Sequence, residues 1–216
     1  MDIESYLRQG YYQGTIDEIF PDLTLLENKF SEIQRSFFNK ENTTWEYNNA
    51  IPDHPEMPVY IELGEIHKRH KMVKLNNLKV FQQLYVSPIP PDIVTVFRDH
   101  ITDFLKTIYP IEKDYIYHHN SRLNALTCGD FIKSHRDGDN KDRLCGIIIY
   151  MSEQESYDEN QGGGELVINT NIIIPPVKGT FVLLDYTKHN LEHEVRIVKN
   201  NFIRFAYVSF ISKVPK

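Results

Sequence analysis

His135 and Asp137 have the spacing of a pair that could bind one metal ion. They lie in the segment SHRDGD, residues 134–139, where the flanking sequence is typical of a strand. Residues i and i+2 of an extended chain point to the same side, so an imidazole nitrogen and a carboxylate oxygen can converge. The short pattern His-x-Asp also arises by chance, and taken alone it favours a charged, solvated turn.

His193 is a third candidate ligand. It opens a stretch in which the alternate residues Val195 and Ile197 are apolar, which predicts that His193 faces inward on a strand. A buried histidine needs a polar partner. Two histidines and one carboxylate form the facial triad of non-haem Fe(II) oxygenases, a type of site that keeps positions open for other ligands. His189 has the same strand parity and is a rival ligand.

Arg204 is the fourth residue that points to chemistry. It follows His193 by eleven positions and lies in the apolar run 202–212. A guanidinium there needs an anion, and a bidentate pair with a carboxylate is the natural solution. Each charge-assisted hydrogen bond of this kind contributes roughly 1.5–3 kcal/mol, enough to bind a small diacid. An internal salt bridge to one of the 30 acidic residues is the alternative.

The elements that must position these residues differ between the two halves of the chain. The first half is predicted to be mainly helical, with starts at Pro21-Asp22 and Pro91-Asp92. The asparagine- and proline-rich segment 42–58 is predicted to be a loop. The apolar residues at helical spacing are Leu26, Phe30, Ile33 and Phe37 in the first helix, and Ile93, Phe97, Ile101, Phe104 and Ile108 in the second.

From about Ser121 onward, short β-branched and aromatic runs are separated by Gly, Asn, Asp and Pro, which is typical of a sandwich or barrel. We therefore predict an α+β protein in which a mainly helical part, residues 1–120, packs on a β core, residues 121–216, as one catalytic unit. The predicted strands are residues 122–127, 144–151, 165–174, 180–184, 192–198 and 202–212.

Composition narrows the class of protein. The 216 residues carry 24 Lys and Arg against 30 Asp and Glu, a formal net charge of -6, which argues against general nucleic-acid binding. The two cysteines exclude a disulfide framework. The N-terminus has no apolar signal region, and no apolar run approaches the roughly 20 residues of a membrane helix. We expect a soluble, cytoplasmic protein without a membrane partner.

Five segments, in order and spacing, resemble the Fe(II)/2-oxoglutarate-dependent dioxygenases, specifically the prolyl 4-hydroxylase-like branch. The resemblance covers residues 123–210, less than half of the chain, and implies a double-stranded β-helix, or jelly-roll, core with packed N-terminal helices. The segments are CGDFIKSHRDGD, RLCGIIIYMSE, GGGELVI, GTFVLLDYTKHNLEHEV and NNFIRFAYVSF.

This resemblance implies roles for the candidate residues. His135, Asp137 and His193 match the iron ligands, and Arg204 matches the basic residue that pairs with the distal carboxylate of 2-oxoglutarate. The interval of eleven residues between His193 and Arg204 is closer to the interval in the family than the fifteen residues from His189. The resemblance therefore favours His193 as the distal ligand.

Three more residues are implicated in the same way. Tyr150 matches a tyrosine that often supports the distal carboxylate, although it is equally interpretable as a strand aromatic. Arg143 resembles an arginine at the mouth of prolyl hydroxylase sites, with a solvent-facing loop as the alternative, and Asn124 is placed to contact the proximal end of the co-substrate. Leu126 and Ala206 stand where relatives often have tyrosine and serine, so the co-substrate contacts differ in detail.

The implied reaction uses Fe(II), 2-oxoglutarate and O2, with ascorbate as a candidate reductant. It hydroxylates a prolyl or other residue in a protein or peptide and releases succinate and CO2. Asp137 favours hydroxylation over halogenation, because halogenases of this superfamily replace that carboxylate. Residues 152–161, with four acids, are predicted to form a lid that favours a neutral or basic peptide. The alternatives are oxidation of a small molecule or a nucleic-acid base, and a catalytically silent jelly-roll binding module.

Overall fold

The two predicted amphipathic helices form where their apolar spacing places them. The computed structural model describes residues 1–38, 45–50, 59–61, 82–87, 91–137, 141–152, 163–199 and 202–216. Within these residues the helices are α1 (Ile3–Gln9), α2 (Leu23–Phe38) and α3 (Pro91–Lys106). None of them is long and apolar enough to span a membrane.

Local capping explains where the helices begin and end. The Asp2 side chain accepts a hydrogen bond from the Ser5 backbone N–H (3.1 Å), and α1 ends at Gly10, whose φ of 80° suits glycine. Asp22 accepts from the Thr24 backbone N–H (3.0 Å) at the start of α2. The predicted helix starts are therefore confirmed for both long helices.

Twelve strands make up the rest of the described fold. Every predicted run from residue 122 onward contains a strand, and the run 165–174 contains two. The strands are β1 (Tyr11–Thr15), β2 (Glu46–Ala50), β3 (Val59–Ile61), β4 (Gln82–Ser87), β5 (Tyr115–Leu126), β6 (Phe131–His135), β7 (Arg143–Tyr150), β8 (Leu166–Ile168), β9 (Ile172–Ile174), β10 (Thr180–Asp185), β11 (His193–Val195) and β12 (Arg204–Pro215).

The first half of the chain contains more strand than its sequence indicates. The prediction of a loop is wrong for residues 46–50, which form β2 and pair with β3 and β4. Pairing with neighbouring strands here outweighs the poor strand propensity of asparagine. The remainder of segment 42–58, except Trp45, lies outside the described residues.

The strands follow the path of a jelly roll. Their order is β1-β10-β7-β12-β5-β4-β6-β11-β8-β9, and every neighbouring pair is antiparallel. β4 pairs with both β5 and β6, so it connects the first five strands to the last four. This arrangement confirms the predicted α+β class with a double-stranded β-helix core.

The two faces of the first five strands have different neighbours, because successive side chains of a strand alternate in direction. One face packs against the helices. There Phe97 of α3 stacks on Tyr207 of β12, with ring centroids 4.4 Å apart. The other face points into the jelly roll. Its buried apolar residues include Leu126, Ile148, Tyr150, Val182, Leu184, Ala206 and Val208.

A buried hydrogen-bond network fastens α1 to the end of β10. The fully buried Asp185 carboxylate accepts from the Tyr109 hydroxyl (2.9 Å), from the Thr187 hydroxyl (2.7 Å) and from two backbone N–H groups. The Tyr109 hydroxyl is also hydrogen-bonded to that of Tyr6 in α1. The helical layer is therefore held at the same end of the fold as the segment between β10 and β11.

Candidate active site

Strand pairing brings together the three predicted metal ligands. His135 ends β6 and His193 opens β11, and the two residues are paired in register across these strands. Asp137 follows β6 by two residues. One ligand atom from each of the three lies within 4.8 Å of the others. The Asp137 carboxylate is 3.6 Å from His135 Nε2 and 3.3 Å from His193 Nε2.

Each histidine is oriented by a hydrogen bond to the main chain. His135 Nδ1 lies 2.8 Å from the Lys133 carbonyl oxygen, and His193 Nδ1 lies 3.0 Å from that of Leu191. Carbonyl oxygens only accept, so both Nδ1 atoms carry the proton. Both Nε2 atoms then face the Asp137 carboxylate, so a cation that displaces the protons they share with it would meet their lone pairs, which is the orientation that metal-binding histidines require.

The electrostatic surroundings of Asp137 keep its carboxyl group ionised, as binding of a cation requires. Burial works to raise the pKa of the Asp137 carboxyl, but the hydrogen bonds and charges of His135 and His193 outweigh burial and hold this pKa well below its usual range. Asp137 is therefore a carboxylate at neutral pH. Two imidazole nitrogens and one hard oxygen donor suit Fe(II).

His189, the rival ligand, has a different task. Its Nε2 donates to the Leu7 carbonyl oxygen of α1 (2.9 Å). The His189 side chain also packs closely against Gly10. A Cβ added to Gly10 would lie 2.4 Å from the Cβ of His189. His189 thus contacts the N-terminal helix, while His193 lies in the cluster.

Tyr186 orients the carboxylate, and it was not among the site residues predicted from the sequence. Its hydroxyl donates to Asp137 Oδ2 (3.2 Å). Burial, followed by the negative charge of Asp137, raises the pKa of the Tyr186 phenol well above its ordinary value, so the hydroxyl stays a donor. Gly146 makes room for it, because a Cβ at this position would lie 2.6 Å from the Tyr186 hydroxyl oxygen. The glycine within the bulky run RLCGIIIY was a usable signal of close approach.

Removing the Tyr186 hydroxyl should loosen the metal site without removing a ligand. We expect Tyr186→Phe to weaken Fe(II) binding by about 10- to 100-fold, the effect typical of losing an outer hydrogen bond to a metal-binding carboxylate. Anaerobic Fe(II) titration measures it. Tyr12→Phe is the matched control. The Tyr12 hydroxyl donates to Glu18 (2.8 Å), and the Tyr12 side chain packs on the face of the sheet that the helices cover, away from the metal cluster. Equal affinity in the wild type and Tyr186→Phe would contradict the assigned role.

Arg204 is a buried cation that lines the same cavity as the His135–Asp137–His193 cluster. Its side chain begins β12, is 1% exposed and stacks over the Tyr150 ring at 4.9 Å. Among the described residues, Arg204 Nε and the Tyr150 hydroxyl have no hydrogen-bond partner, and no carboxylate forms an ion pair with Arg204. Buried polar groups in this state are exceptional, and an anion with two oxygens would satisfy both.

The glycine-rich turn provides space beside Arg204. Gly163 and Gly164 have φ angles of 66° and 79°, which favour glycine, and a Cβ on Gly164 would lie 3.1 Å from Arg204 Cδ. Gly162 lies outside the described residues. The two glycines therefore allow the main chain of the turn to approach the Arg204 side chain closely.

Asn124 and Arg143 lie in the wall of the same cavity. Asn124 is buried, and its Oδ1 has no hydrogen-bond partner within the described part of the chain. Arg143 donates from Nη1 to the Asp137 main-chain oxygen and lies over the Phe210 ring at 4.5 Å. It therefore faces the cavity and not a solvent loop. Arg136, by contrast, is exposed and pairs with Glu192 (3.5 Å).

One cavity of about 460 Å³ connects these residues. Its wall includes the histidine–carboxylate cluster, Arg204 and Asn124, and Tyr150, whose ring lies against the Arg204 guanidinium, is not among the lining residues. The donor set fits Fe(II), and the unsatisfied Nε of Arg204 fits an anionic co-substrate such as 2-oxoglutarate. Ile197 departs from the sequence pattern: β11 ends at Val195, and Ile197 is 56% exposed.

Comparisons with known proteins agree with this geometry. The model of the 2OG-Fe(II) oxygenase superfamily matches residues 121–212. The predicted resemblance to this superfamily is thereby confirmed for residues 121–212, and the solved structures below, which include prolyl hydroxylases, share the fold. Comparison with curated protein sequences finds no match.

Several solved structures share the fold across nearly the whole chain, each with a TM-score of 0.61. A prolyl-4-hydroxylase from Pseudomonas putida is 13% identical, with 97% of this chain and 96% of that chain covered. An oxidoreductase of the 2OG-Fe(II) oxygenase family from Burkholderia pseudomallei is 18% identical, with 98% and 89% covered. A prolyl hydroxylase from Trichoplax adhaerens, in complex with a hypoxia inducible factor oxygen degradation domain peptide fragment, is 12% identical, with 98% and 87% covered.

Proposed function

We propose that this protein is an Fe(II)- and 2-oxoglutarate-dependent dioxygenase that hydroxylates a prolyl or other residue of a protein or peptide. The observation that carries the proposal is the cavity in which a His-Asp-His cluster and the buried Arg204, without an ion-pair partner among the described residues, lie together. The peptide complex of the Trichoplax adhaerens neighbour supports the substrate class.

Each residue has a defined task in this proposal. His135, Asp137 and His193 would hold Fe(II), and Arg204 would pair with the distal carboxylate of 2-oxoglutarate, with the Tyr150 hydroxyl as a second donor. When bound, Fe(II) and 2-oxoglutarate supply the oxidation, in which O2, 2-oxoglutarate and a substrate C–H group give succinate, CO2 and a C–OH group. The apolar residues of the wall, among them Leu166, Leu184 and Val195, would limit the access of water to the reacting groups.

Around that site, Asn124 would contact the proximal end of 2-oxoglutarate, and Arg143 would contact the substrate at the mouth. Both side chains line the cavity, which supports these roles. The acidic loop proposed as a lid lies, from residue 153 to residue 161, outside the described residues.

We also propose that the helical part, residues 1–120, and the jelly-roll part, residues 121–216, act as one catalytic unit. Strand β5 runs from Tyr115 to Leu126 and so crosses the division between them. The hydrogen bonds of Asp185 and His189 to the N-terminal region also favour a single unit.

Turnover of 2-oxoglutarate tests the proposed function directly. Purified protein with Fe(II) and 2-oxoglutarate, with and without ascorbate, is expected to form succinate. Mass spectrometry of proline-containing peptides then identifies products heavier by one oxygen atom. A protein that retains no Fe(II) and forms no succinate is instead a jelly-roll binding module, and the proposal is wrong.

A further inference from the structure

A chain of buried hydroxyl groups connects α1 to the end of the strand that precedes Tyr186. Tyr6 of α1 and Tyr109 are both buried, and their hydroxyl groups are hydrogen-bonded to each other. The Tyr109 hydroxyl also donates to Asp185 Oδ1 at the end of β10 (2.9 Å). Because that bond uses the only hydroxyl proton of Tyr109, the Tyr6 hydroxyl is the donor to Tyr109. Hydrogen-bond donation therefore runs from α1 to Asp185.

Both phenols stay protonated. Burial is the main cause that raises the pKa of Tyr6 and the pKa of Tyr109 far above the ordinary value of a phenol. The two rings meet edge to face, with their centroids 6.2 Å apart. Both the positions of the two hydroxyl groups and the direction of their hydrogen bonds are therefore well defined.

The buried Asp185 carboxylate has no cation beside it in the described part of the chain. It forms none of the ion pairs found there. The donors that it meets are neutral, namely the hydroxyl groups of Tyr109 and Thr187 and the backbone N–H groups of Thr187 and Lys188. Burying a charge in this way costs free energy, and an apolar residue would support the fold at lower cost. The carboxylate therefore indicates a role in setting local geometry.

The hydrogen bonds of Asp185 fix the main chain on both sides of Tyr186. Its carboxylate accepts from the backbone N–H groups of Thr187 (3.1 Å) and Lys188 (3.2 Å), which holds the turn that follows Tyr186. Before Tyr186, the Asp185 N–H donates to the Gly10 carbonyl oxygen (2.8 Å). Tyr186 thus lies between two restrained points of the main chain.

Tyr186 carries this restraint to the metal cluster. Its N–H donates to the Leu144 carbonyl oxygen (3.0 Å), which continues the pairing of β10 with β7 by one residue. Successive side chains of a strand alternate in direction, so Asp185 reaches Tyr109 while Tyr186 packs inside the jelly roll. There its hydroxyl donates to Asp137 Oδ2 (3.2 Å). A shift of the end of β10 would therefore move this hydroxyl relative to the carboxylate.

We propose that Tyr6, Tyr109 and Asp185 are positioning residues of the metal site, which fix the end of β10 so that the Tyr186 hydroxyl stays hydrogen-bonded to the Asp137 carboxylate. They act through Tyr186, since none of the three lines the cavity of the metal cluster. Buried polar networks whose members are satisfied make the structure around them rigid. This inference rests on the proposed function, because it concerns the binding of Fe(II) at the same site.

A double-mutant cycle on Fe(II) affinity tests the inference. Tyr109→Phe is made in the wild-type chain and in Tyr186→Phe, and each protein is titrated anaerobically with Fe(II). In the wild type, we expect Tyr109→Phe to weaken Fe(II) binding about three- to tenfold, less than the loss of the Tyr186 hydroxyl itself. In Tyr186→Phe, which has no hydroxyl to position, the same change should alter the affinity less than about twofold. Tyr6→Phe should follow the same pattern with a smaller loss.

Tyr207→Phe is the matched control for the loss of a buried hydroxyl. The Tyr207 side chain is buried on the face of the sheet that the helices cover, and its hydroxyl is hydrogen-bonded to that of Ser121 (3.0 Å). Tyr207→Phe should therefore keep wild-type Fe(II) affinity. The visible absorption of bound Co(II), which depends on the geometry of the ligands, should change in Tyr109→Phe and stay unchanged in Tyr207→Phe.

The inference is wrong if Fe(II) affinity or Co(II) absorption is unchanged in Tyr109→Phe, if the loss of affinity is equally large in Tyr186→Phe, or if Tyr207→Phe shows the same loss. Tyr6→Phe decides by the same criteria if Tyr109→Phe does not fold. Wild-type protein that binds Fe(II) and forms succinate, while Tyr109→Phe keeps full affinity, overturns this inference alone. Wild-type protein that binds no Fe(II) overturns the proposed function as well.

Discussion

His135→Ala is expected to remove Fe(II) binding and, with it, succinate formation. His135 supplies one of three donor atoms that lie within 4.8 Å of one another. The loss of an outer hydrogen bond typically weakens a metal site 10- to 100-fold, so the loss of a direct ligand should exceed about 100-fold. Metal content after anaerobic loading and succinate release measure the two effects separately. Asp137→Ala and His193→Ala should behave in the same way.

Two histidine controls make this result specific. His118→Ala changes an exposed histidine of β5 and should retain wild-type Fe(II) content. His189→Ala distinguishes the two candidates for the distal ligand. Since His189 donates to Leu7 in α1, its loss should lower the melting temperature and leave Fe(II) binding in place. Loss of Fe(II) from His189→Ala with retention by His193→Ala would reverse the assignment.

The pair formed by His135 and Asp137 could be predicted from the sequence, because the spacing of the two residues follows directly from strand geometry. His135 and Asp137 are two residues apart, and alternation alone places them on one side. The convergence of His193 required more than spacing, because it depends on the pairing of β6 with β11. The family resemblance pointed to His193 as the third ligand without giving that pairing.

Tyr186, Gly146 and Phe210 could not be assigned in this way. The hydrogen bond from Tyr186 to Asp137 joins residues 49 positions apart and depends on the space beside Gly146. The contact between Arg143 and the Phe210 ring depends on the register of β7 and β12. Contacts of this kind arise from tertiary packing, and the local signal that exists, the glycine within RLCGIIIY, indicates a close approach without naming the partner.

The strands of the first half were missed for a related reason. β2 contains the run Tyr-Asn-Asn, whose asparagines are poor strand formers, yet it pairs with β3 on one side and β4 on the other. Ile197 shows the converse error. Its apolar side chain continued the alternation from His193, but β11 ends at Val195 and Ile197 is exposed.

Arg204→Met should change ligand binding and stability in opposite directions. If 2-oxoglutarate binds Arg204 through two charge-assisted hydrogen bonds, their loss costs about 3 kcal/mol or more, which is about a hundredfold in affinity. The stabilisation that 2-oxoglutarate gives to the Fe(II)-loaded protein should therefore disappear at concentrations that shift the wild-type melting temperature. Arg98→Met, in an exposed position, should keep the full shift.

Without 2-oxoglutarate, the same variant should be at least as stable as the wild type. Arg204 is 1% exposed, and within the described residues it has no ion-pair partner. Folding therefore removes water from its charge, and no ion pair offsets the cost. Methionine has similar length and no charge to desolvate, and replacing buried ions with apolar residues is often neutral or stabilising. The loss of the contact with the Tyr150 ring is a smaller cost. A marked fall in melting temperature for ligand-free Arg204→Met would mean that Arg204 supports the fold, and the role in binding 2-oxoglutarate would then lose its physical basis.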